Sequence, residues 1–480
     1  MCDDNNSTRL SEADLQARPT LNGCYAFTVL EAKKLADGTL KPRQRAILAP
    51  ERLNNALDEH YTAELDLRHV SRYIDDVTHA AATIADLKIS FFQVELPIEA
   101  RAWYRFADAE GHIYEYNRMP MGSKPAAEIM QIITEIIAGC PHAIDNAHAE
   151  RIVPPNFVRK IDVWIDGLRG AGTKKGCARM LDIVIKNAAH FGATFKEPPS
   201  VSSRYDFIGV DFNHDTSSVT VAKKTRAKLG DAVPRRATAS FYASLTARLI
   251  FCAGALRLPL ACYYHAMKTI NRYVNRYNRT GVDFDIDLAR TDSDAFRLLQ
   301  QWHRDSLGTK RVQRLATDEK QVDIAYIDAS LWGWGCYIIL ASGELVIHGG
   351  KWPPDTDTSS TGLMATLEAR AVENTFLHCG HRFLDRRNVD LRIDNSSVAH
   401  GMRRALAGTA DINVRIAPAL KFCSDNDIEY TVSLVKSEHN LADAESRGLP
   451  SKSLRAVAHQ VPRSRGWAGR VAARGVYEAE

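Results

Sequence analysis

Four carboxylates constrain this chain most strongly, because two predicted strands and two helical regions carry them and one, Asp328, is surrounded by apolar residues. Asp328 lies in Ala325-Tyr326-Ile327-Asp328-Ala329-Ser330, inside a predicted strand. Glu368 lies in Ala365-Thr366-Leu367-Glu368-Ala369-Arg370, on a predicted helix whose Leu363, Leu367 and Val372 form the packed stripe. Asp394 ends the predicted strand of residues 389–394, just ahead of Asn395-Ser396-Ser397, residue types that open helices. Asp443 lies in His439-Asn440-Leu441-Ala442-Asp443-Ala444-Glu445-Ser446-Arg447, at the start of a last turn or helix. An isolated acid in such surroundings is costly to bury. Taken singly, each reads as a surface acid at an element end. Taken together, two strands and two helical regions can deliver all four to one place. Carboxylates there would suit hard cations such as Mg²⁺. Two such ions about 4 Å apart can activate a water and stabilise the leaving oxygen of a phosphodiester.

The region around these acids has its own order. From Val322 a hairpin-rich start is predicted over residues 324–330, 334–340 and 344–349, then a helix, a strand, another helix and another strand. Upstream, residues 223–307 read as mostly helical, with residues 243–277 long and amphipathic apart from turn signals near Pro259 and Gly281. Further upstream, strands and helices mix. A hairpin is expected around Asp37–Arg45, and residues 84–96 end in strand-like alternation that puts Asp86 at a strand edge. Gly122-Ser123-Lys124-Pro125 should open a helix with apolar residues from Ile129 to Ile137 and Gly139 near its end. Short strands are read over residues 160–169 and 205–212. At 480 residues the chain should hold roughly three domains. The divisions expected are 1–80, an N-terminal extension with a hairpin; 81–222, mixed strands and helices; 223–318, helical; 319–450, the four-acid domain; and 451–480, a tail.

Charge is nearly balanced at +4, so any nucleic-acid contact would have to come from local patches. The tail carries Lys452, Arg455, Arg463, Arg465, Arg470 and Arg474 against Glu478 and Glu480, a local excess of four positive charges. It reads either as a solvated terminus or as a segment that grazes phosphates. Nine scattered cysteines with no CxxC pair point to reduced thiols in a cell, hence a cytoplasmic or nuclear location. His378-Cys379-Gly380-His381 lacks a second ligand cluster at zinc spacing. The first twenty residues are too polar for a secretory signal, and the apolar stretch Leu249–Tyr264 is broken by Arg257 and Pro259, so no membrane partner is expected.

The words around the four acids resemble ribonuclease H domains in order and character. They are the Tyr326-Ile327-Asp328-Ala329-Ser330 strand with its Trp332-Gly333-Trp334-Gly335 turn, the helical Leu367–Val372, the strand-ending Arg392–Ser397, and His439–Gly448. The resemblance covers about 125 residues. It implies that Asp328, Glu368, Asp394 and Asp443 are catalytic metal ligands and that His439 assists product release. The last word is most similar to those of retroelement enzymes.

The first half resembles reverse transcriptases over about residues 40–215. Asp86 matches the first catalytic acid of that family, and Phe91, five residues later, matches the aromatic that screens the sugar 2′ position. Met119–Ala127 resembles the loop and helix lining the incoming nucleotide, with Gly122 and Lys124 best matched. Arg43 and Arg45, followed by Arg52-Leu53-Asn54, resemble the fingers segment that meets the triphosphate, and Tyr205–Gly209 resembles the turn supporting the primer end. Asp166 in Val163-Trp164-Ile165-Asp166-Gly167 matches the first of two adjacent acids in that family, with glycine in place of the second. Asp86 and Asp166 still make a metal pair, but one fewer charge should hold ions less tightly. Asp162 is about 13 Å away along a strand and would be a poor substitute.

The resemblance implies an α+β multidomain chain, with right-hand polymerase fingers, palm and thumb followed by a mixed α/β ribonuclease H-like domain. It implies two Mg²⁺ or Mn²⁺ ions per active site. Its partners would be an RNA template, a DNA primer, an RNA–DNA hybrid and deoxynucleoside triphosphates. Among retroelements it is most similar to the tyrosine-recombinase elements of the DIRS and VIPER type. The alternative is a polymerase-inactive nucleic-acid-binding remnant or host-adopted protein, with or without its ribonuclease H.

Overall fold

A computed structural model describes residues 7–17, 24–34, 40–57, 61–63, 65, 67, 70–143, 151–309, 311–312, 322–359 and 363–449. The basic tail, like the turn at Asp37 and Gly38, lies outside them. The chain forms two compact units, Met1–Ile208 with Phe212–Asp215, and Gly209–Asp211 with Thr216–Glu480.

In the first unit, strands β1 (Tyr25–Lys34) and β2 (Leu40–Ala49) pair as the expected hairpin, and helix α1 (Glu51–Leu57) follows. The unit's centre is a four-stranded antiparallel sheet. It is built from β3 (Ala81–Asp86), β4 (Val158–Trp164), β5 (Gly167–Gly172) and β6 (Ser200–Ser202), in the order β4-β5-β3-β6. Helices α2 (Ala126–Ala138) and α3 (Lys174–His190) supply Met130, Ile137, Met180 and Val184 to the core formed with this sheet. Helix α2 runs as its sequence predicts, with Pro125 before its first residue and Gly139 ending it in the left-handed region.

Three expectations need correction here. Residues 84–96 do not continue as a strand beyond Asp86: Ile89 turns to φ 50° and residues 90–93 form a 3₁₀ turn. The stretch 160–169 is two strands, not one, and Asp166 occupies the turn between them beside Ile165 at φ 57°. The stretch 205–212 likewise breaks, because β7 (Arg204–Phe207) gives way to Ile208 and Gly209, both at positive φ.

In the second unit, α4 (Ala239–Leu256), α5 (Tyr264–Thr280) and α6 (Ser293–Gly308) form a bundle around Trp302, which stacks on Tyr263 at 5.0 Å between ring centroids. The single long helix expected over 243–277 is two, divided where Arg257 turns left-handed ahead of Pro259. Helix α4 is long and apolar enough to cross a membrane by length and composition, and half of it is buried against its own neighbours.

The bundle is followed by a five-stranded sheet of β8 (Asp323–Ala329), β9 (Gly333–Ile339), β10 (Leu345–Lys351), β11 (Asn388–Ile393) and β12 (Glu429–Leu434), in the order β10-β9-β8-β11-β12. The first three strands pair antiparallel, whereas β8, β11 and β12 run parallel. Helices α7 (Met364–Cys379), α8 (Ser396–Arg404) and α9 (Ala410–Asp425) connect them, and the short α10 (Asp443–Ser446) closes the domain. Two helices, rather than the one expected, thus separate β11 from β12. Strand order reverses between β8 and β11, and in open α/β sheets the carboxyl ends of strands at such a switch point form the crevice that holds ligands.

Candidate active sites

Register sets the first site. Ile327 of β8 pairs with Ile393 of β11, so Asp328 and Asp394 emerge side by side at the carboxyl ends of neighbouring parallel strands. Glu368 reaches them because it lies in phase with the buried stripe of α7, which runs through Leu367, Ala371, Val372, Thr375 and Phe376. Packing that stripe drives a carboxylate inward. One oxygen from each of Asp328, Glu368 and Asp394 lies within 4.8 Å of the others.

Three acids so close cannot all ionise at ordinary cost. Burial, with Asp394 and Asp443 nearby, pushes Asp328 up to about 7. Burial, reinforced by Asp328 and Asp394, pushes Glu368 up to about 10, and Glu368 Oε2 is buried without a hydrogen-bond partner. An unpartnered oxygen inside an all-oxygen set is what a hard divalent cation would satisfy, so the residues fit such an ion.

The residues that aim these acids were missed from sequence. Asn440 Nδ2 donates to Asp328 Oδ1 at 3.1 Å and to the Ile327 carbonyl at 2.9 Å. Ser446 Oγ donates to Asp328 Oδ2, and Ser437 Oγ to Asp394 Oδ2 at 2.7 Å. Gly335, paired with Asp328 across the sheet, makes room for this: a Cβ there would lie 2.6 Å from Ser446 N and from Glu445 Cβ. Asn440 and Ser446 stand in the same word as Asp443, which was the available signal.

Asp443 begins α10 as expected, but it is not one of the three converging oxygens. Its Oδ1 accepts from Arg447 Nη2 at 2.8 Å, while its charge acts on Asp328 from nearby. His439 is exposed in a 3₁₀ turn, its Nε2 4.0 Å from Glu438.

The second site is smaller. Asp86, the last residue of β3, pairs with Gly167, the first of β5, while the Leu87 amide donates to the Asp166 carbonyl at 3.0 Å. Burial, followed by the nearby charge of Asp86, raises Asp166, and Ser90 Oγ opposes this by donating to its Oδ2 at 3.2 Å. Asp86 is half-exposed and bonded to Lys196 Nζ at 3.0 Å. Gln131 of α2 fixes the strained turn, because its Oε1 accepts from the Ile165 amide at 2.7 Å. Ser90, Lys196 and Gln131 were also missed. Asp162 is buried in another network, bonded to Arg169 and, at 2.7 Å, to Lys160.

Of the residues matched to nucleotide binding, Phe91 is half-buried against the unit's core. Gly122 stands at φ 96°, and Asn54 of α1 straps its loop by donating to the Gly122 carbonyl and accepting from the Lys124 amide, both at 2.9 Å. Arg43 and Arg45 belong to β2, and their side chains lie outside the described residues. A further acidic group, Asp108, Glu110 and His112, is a hairpin turn in which Asp108 already accepts from the backbone of both partners.

No protein-family model matches the chain, and no curated protein matches it. Among solved structures, it is similar to a foamy viral protease-reverse transcriptase in complex with double-stranded DNA, at 13% identity and TM-score 0.47, covering 88% of this chain and 68% of that one. It is also similar to the foamy viral protease-reverse transcriptase in complex with RNA/DNA hybrid, at 12% identity and TM-score 0.46, covering 88% of this chain and 52% of that one.

Proposed function

We propose that this chain is a reverse transcriptase joined to a ribonuclease H, and that it cuts the RNA strand of RNA–DNA hybrids at Asp328, Glu368 and Asp394. The observation that carries the reading is the convergence of these three carboxylates within 4.8 Å around a buried, unpartnered Glu368 oxygen. Asn440 and Ser446 fix the rotamer of Asp328, and Ser437 fixes that of Asp394, so the oxygens are aimed before a substrate arrives. Bound Mg²⁺ or Mn²⁺ would supply an activated water and neutralise charge developing on the phosphate. Asp443, bonded to Arg447, would add a further acid, and the exposed His439 would assist product release. The hybrid would be held through its backbone and its 2′-hydroxyls.

In the first unit, Asp86 and Asp166 would hold the ions for nucleotide addition, with Phe91, Gly122, Lys124, Arg43 and Arg45 around a deoxynucleoside triphosphate, a DNA primer and an RNA template. A second reading, in which this unit binds nucleic acid without polymerising, is favoured by a specific observation: Asp86 is already matched by Lys196, opposite Gly167. The His439–Gly448 word supports a retroelement origin of the tyrosine-recombinase type.

Two assays on the purified protein test these claims, each with Mg²⁺ and with Mn²⁺. Cleavage of a labelled RNA–DNA hybrid that disappears in Asp394→Asn supports the nuclease; cleavage that survives the substitution refutes it. Primer extension on an RNA template supports the polymerase, and its absence in both the wild type and Gly167→Asp removes that claim.

A further inference from the structure

Two tryptophans flank Gly333, and they have opposite fates. Trp334 is buried, whereas Trp332 is 42% exposed beside Leu331, itself 44% exposed. An indole left half in water forgoes burial that the fold could have used, yet this one is not loose. Its amide donates to Ser330 Oγ at 3.1 Å, Ser330 Oγ donates to the Ser446 carbonyl at 2.6 Å, and Ser446 in turn holds Asp328. Gly448 lies against the ring at φ 64°, where a Cβ would come within 2.2 Å of the indole. Lys351 Nζ stands 5.4 Å from the ring centroid. The ring is therefore held from several sides while the residue stays 42% exposed, on the same hydrogen-bonded frame as Asp328.

We infer that Trp332 is a nucleic-acid platform, packing its exposed part against the ribose backbone of the strand being cut, with Lys351 beside it to meet a phosphate. The inference rests on the proposed nuclease reading for which strand is engaged. In a hybrid the bases are paired and stacked, so an exposed indole and an adjacent cation meet sugar and phosphate, which carry no sequence preference. The role is one of positioning: Trp332 sets where the scissile phosphate lies relative to Asp328.

The test uses the full chain with Trp332→Ala and Trp332→Phe, each checked for unchanged melting. In hybrid cleavage, Trp332→Ala should raise KM about 10-fold while kcat changes less, and Trp332→Phe should recover most of the loss. In a second arm, hybrid is titrated in Ca²⁺ and tryptophan fluorescence is read. Quenching present in the wild type should be largely absent from Trp332→Phe although that variant still binds. An unchanged KM in Trp332→Ala, or equal quenching in Trp332→Phe, would overturn the platform. A wild type that cuts no hybrid would instead defeat the nuclease reading, and the fluorescence arm would still decide whether Trp332 meets nucleic acid.

Discussion

The two acidic sites handle negative charge differently. At Asp328, Glu368 and Asp394, three carboxylates meet and their direct partners are neutral: an amide from Asn440 and hydroxyls from Ser446 and Ser437. At Asp86 and Asp166, two carboxylates are neighbours, one is half-exposed, and Lys196 already sits on it. A protein that leaves charge unneutralised in its interior must either protonate it or bring in a cation. The first site thus fits either bound protons or a cation, while in the second Lys196 already offsets Asp86.

The comparison can be broken most severely at Asp394. Asp394→Asn should lower hybrid cleavage by at least about 1,000-fold, since it removes an ion ligand whose loss amounts to several kcal/mol at the transition state. Circular dichroism should show an unchanged fold; an active variant would end the assignment. Next in size, Asp162→Ala should destabilise the first unit by about 1.5–3 kcal/mol because it leaves buried Arg169 with Asp76 as its remaining acid, which denaturant unfolding would register. If Asp162 instead proved dispensable for stability, its exclusion from the metal pair would have to be reconsidered. Ser446→Ala and Asn440→Ala should each cost about 10- to 100-fold in cleavage or in Mn²⁺ affinity, because they loosen Asp328 without removing a ligand.

Acidity sharpens the contrast further. Asp328 and Glu368 have folded values raised to about 7 and about 10, above the unfolded carboxylate range, so the folded state binds more protons than the unfolded one between them. Without divalent ions, their protonated forms are fully compatible with the fold below about pH 4, and stability should fall as pH rises from there toward 10. The slope is at most about 1.4 kcal/mol per pH unit for each proton. Melting measured against pH should show this decline, Glu368→Gln should flatten its upper part, and binding of Mn²⁺ should release protons. A flat profile in the wild type would contradict the cluster. The smallest effect belongs to Gly167→Asp. A Cβ there meets only Phe207 at 3.7 Å and the Trp164 carbonyl at 3.8 Å, so the change should be tolerated. Calorimetry should show about 10-fold tighter Mn²⁺ binding at the Asp86 site, following from the added ligand charge.

What the sequence made legible follows from how local each signal is. Asp328 stood out because an acid among buried strand residues is itself anomalous, Glu368 and Asp394 were legible only through the words around them, and the helix of α2 was plain from Pro125, its isoleucines and Gly139. Asn440, Ser446 and Ser437 carry no such anomaly. Their role exists only once β12 and α10 are folded beside β8 and β11. Asp166 was misplaced into a strand because Val163, Trp164 and Ile165 read as strand residues. The Asp166-Gly167 dipeptide is a hairpin signal that outweighs them, and Ile165 accepts a left-handed conformation because Gln131 holds its amide. The break after Asp86 was hidden in the same way, by alternation that continues past Ile89 where the backbone does not.

Whether Asp328, Glu368 and Asp394 share divalent ions is read directly by anomalous scattering from crystals soaked in Mn²⁺. The prediction is manganese density between those three carboxylates in the wild type and its loss in Asp394→Asn. Ordered, unprotonated carboxylates with no manganese among them at saturating concentration would contradict the account.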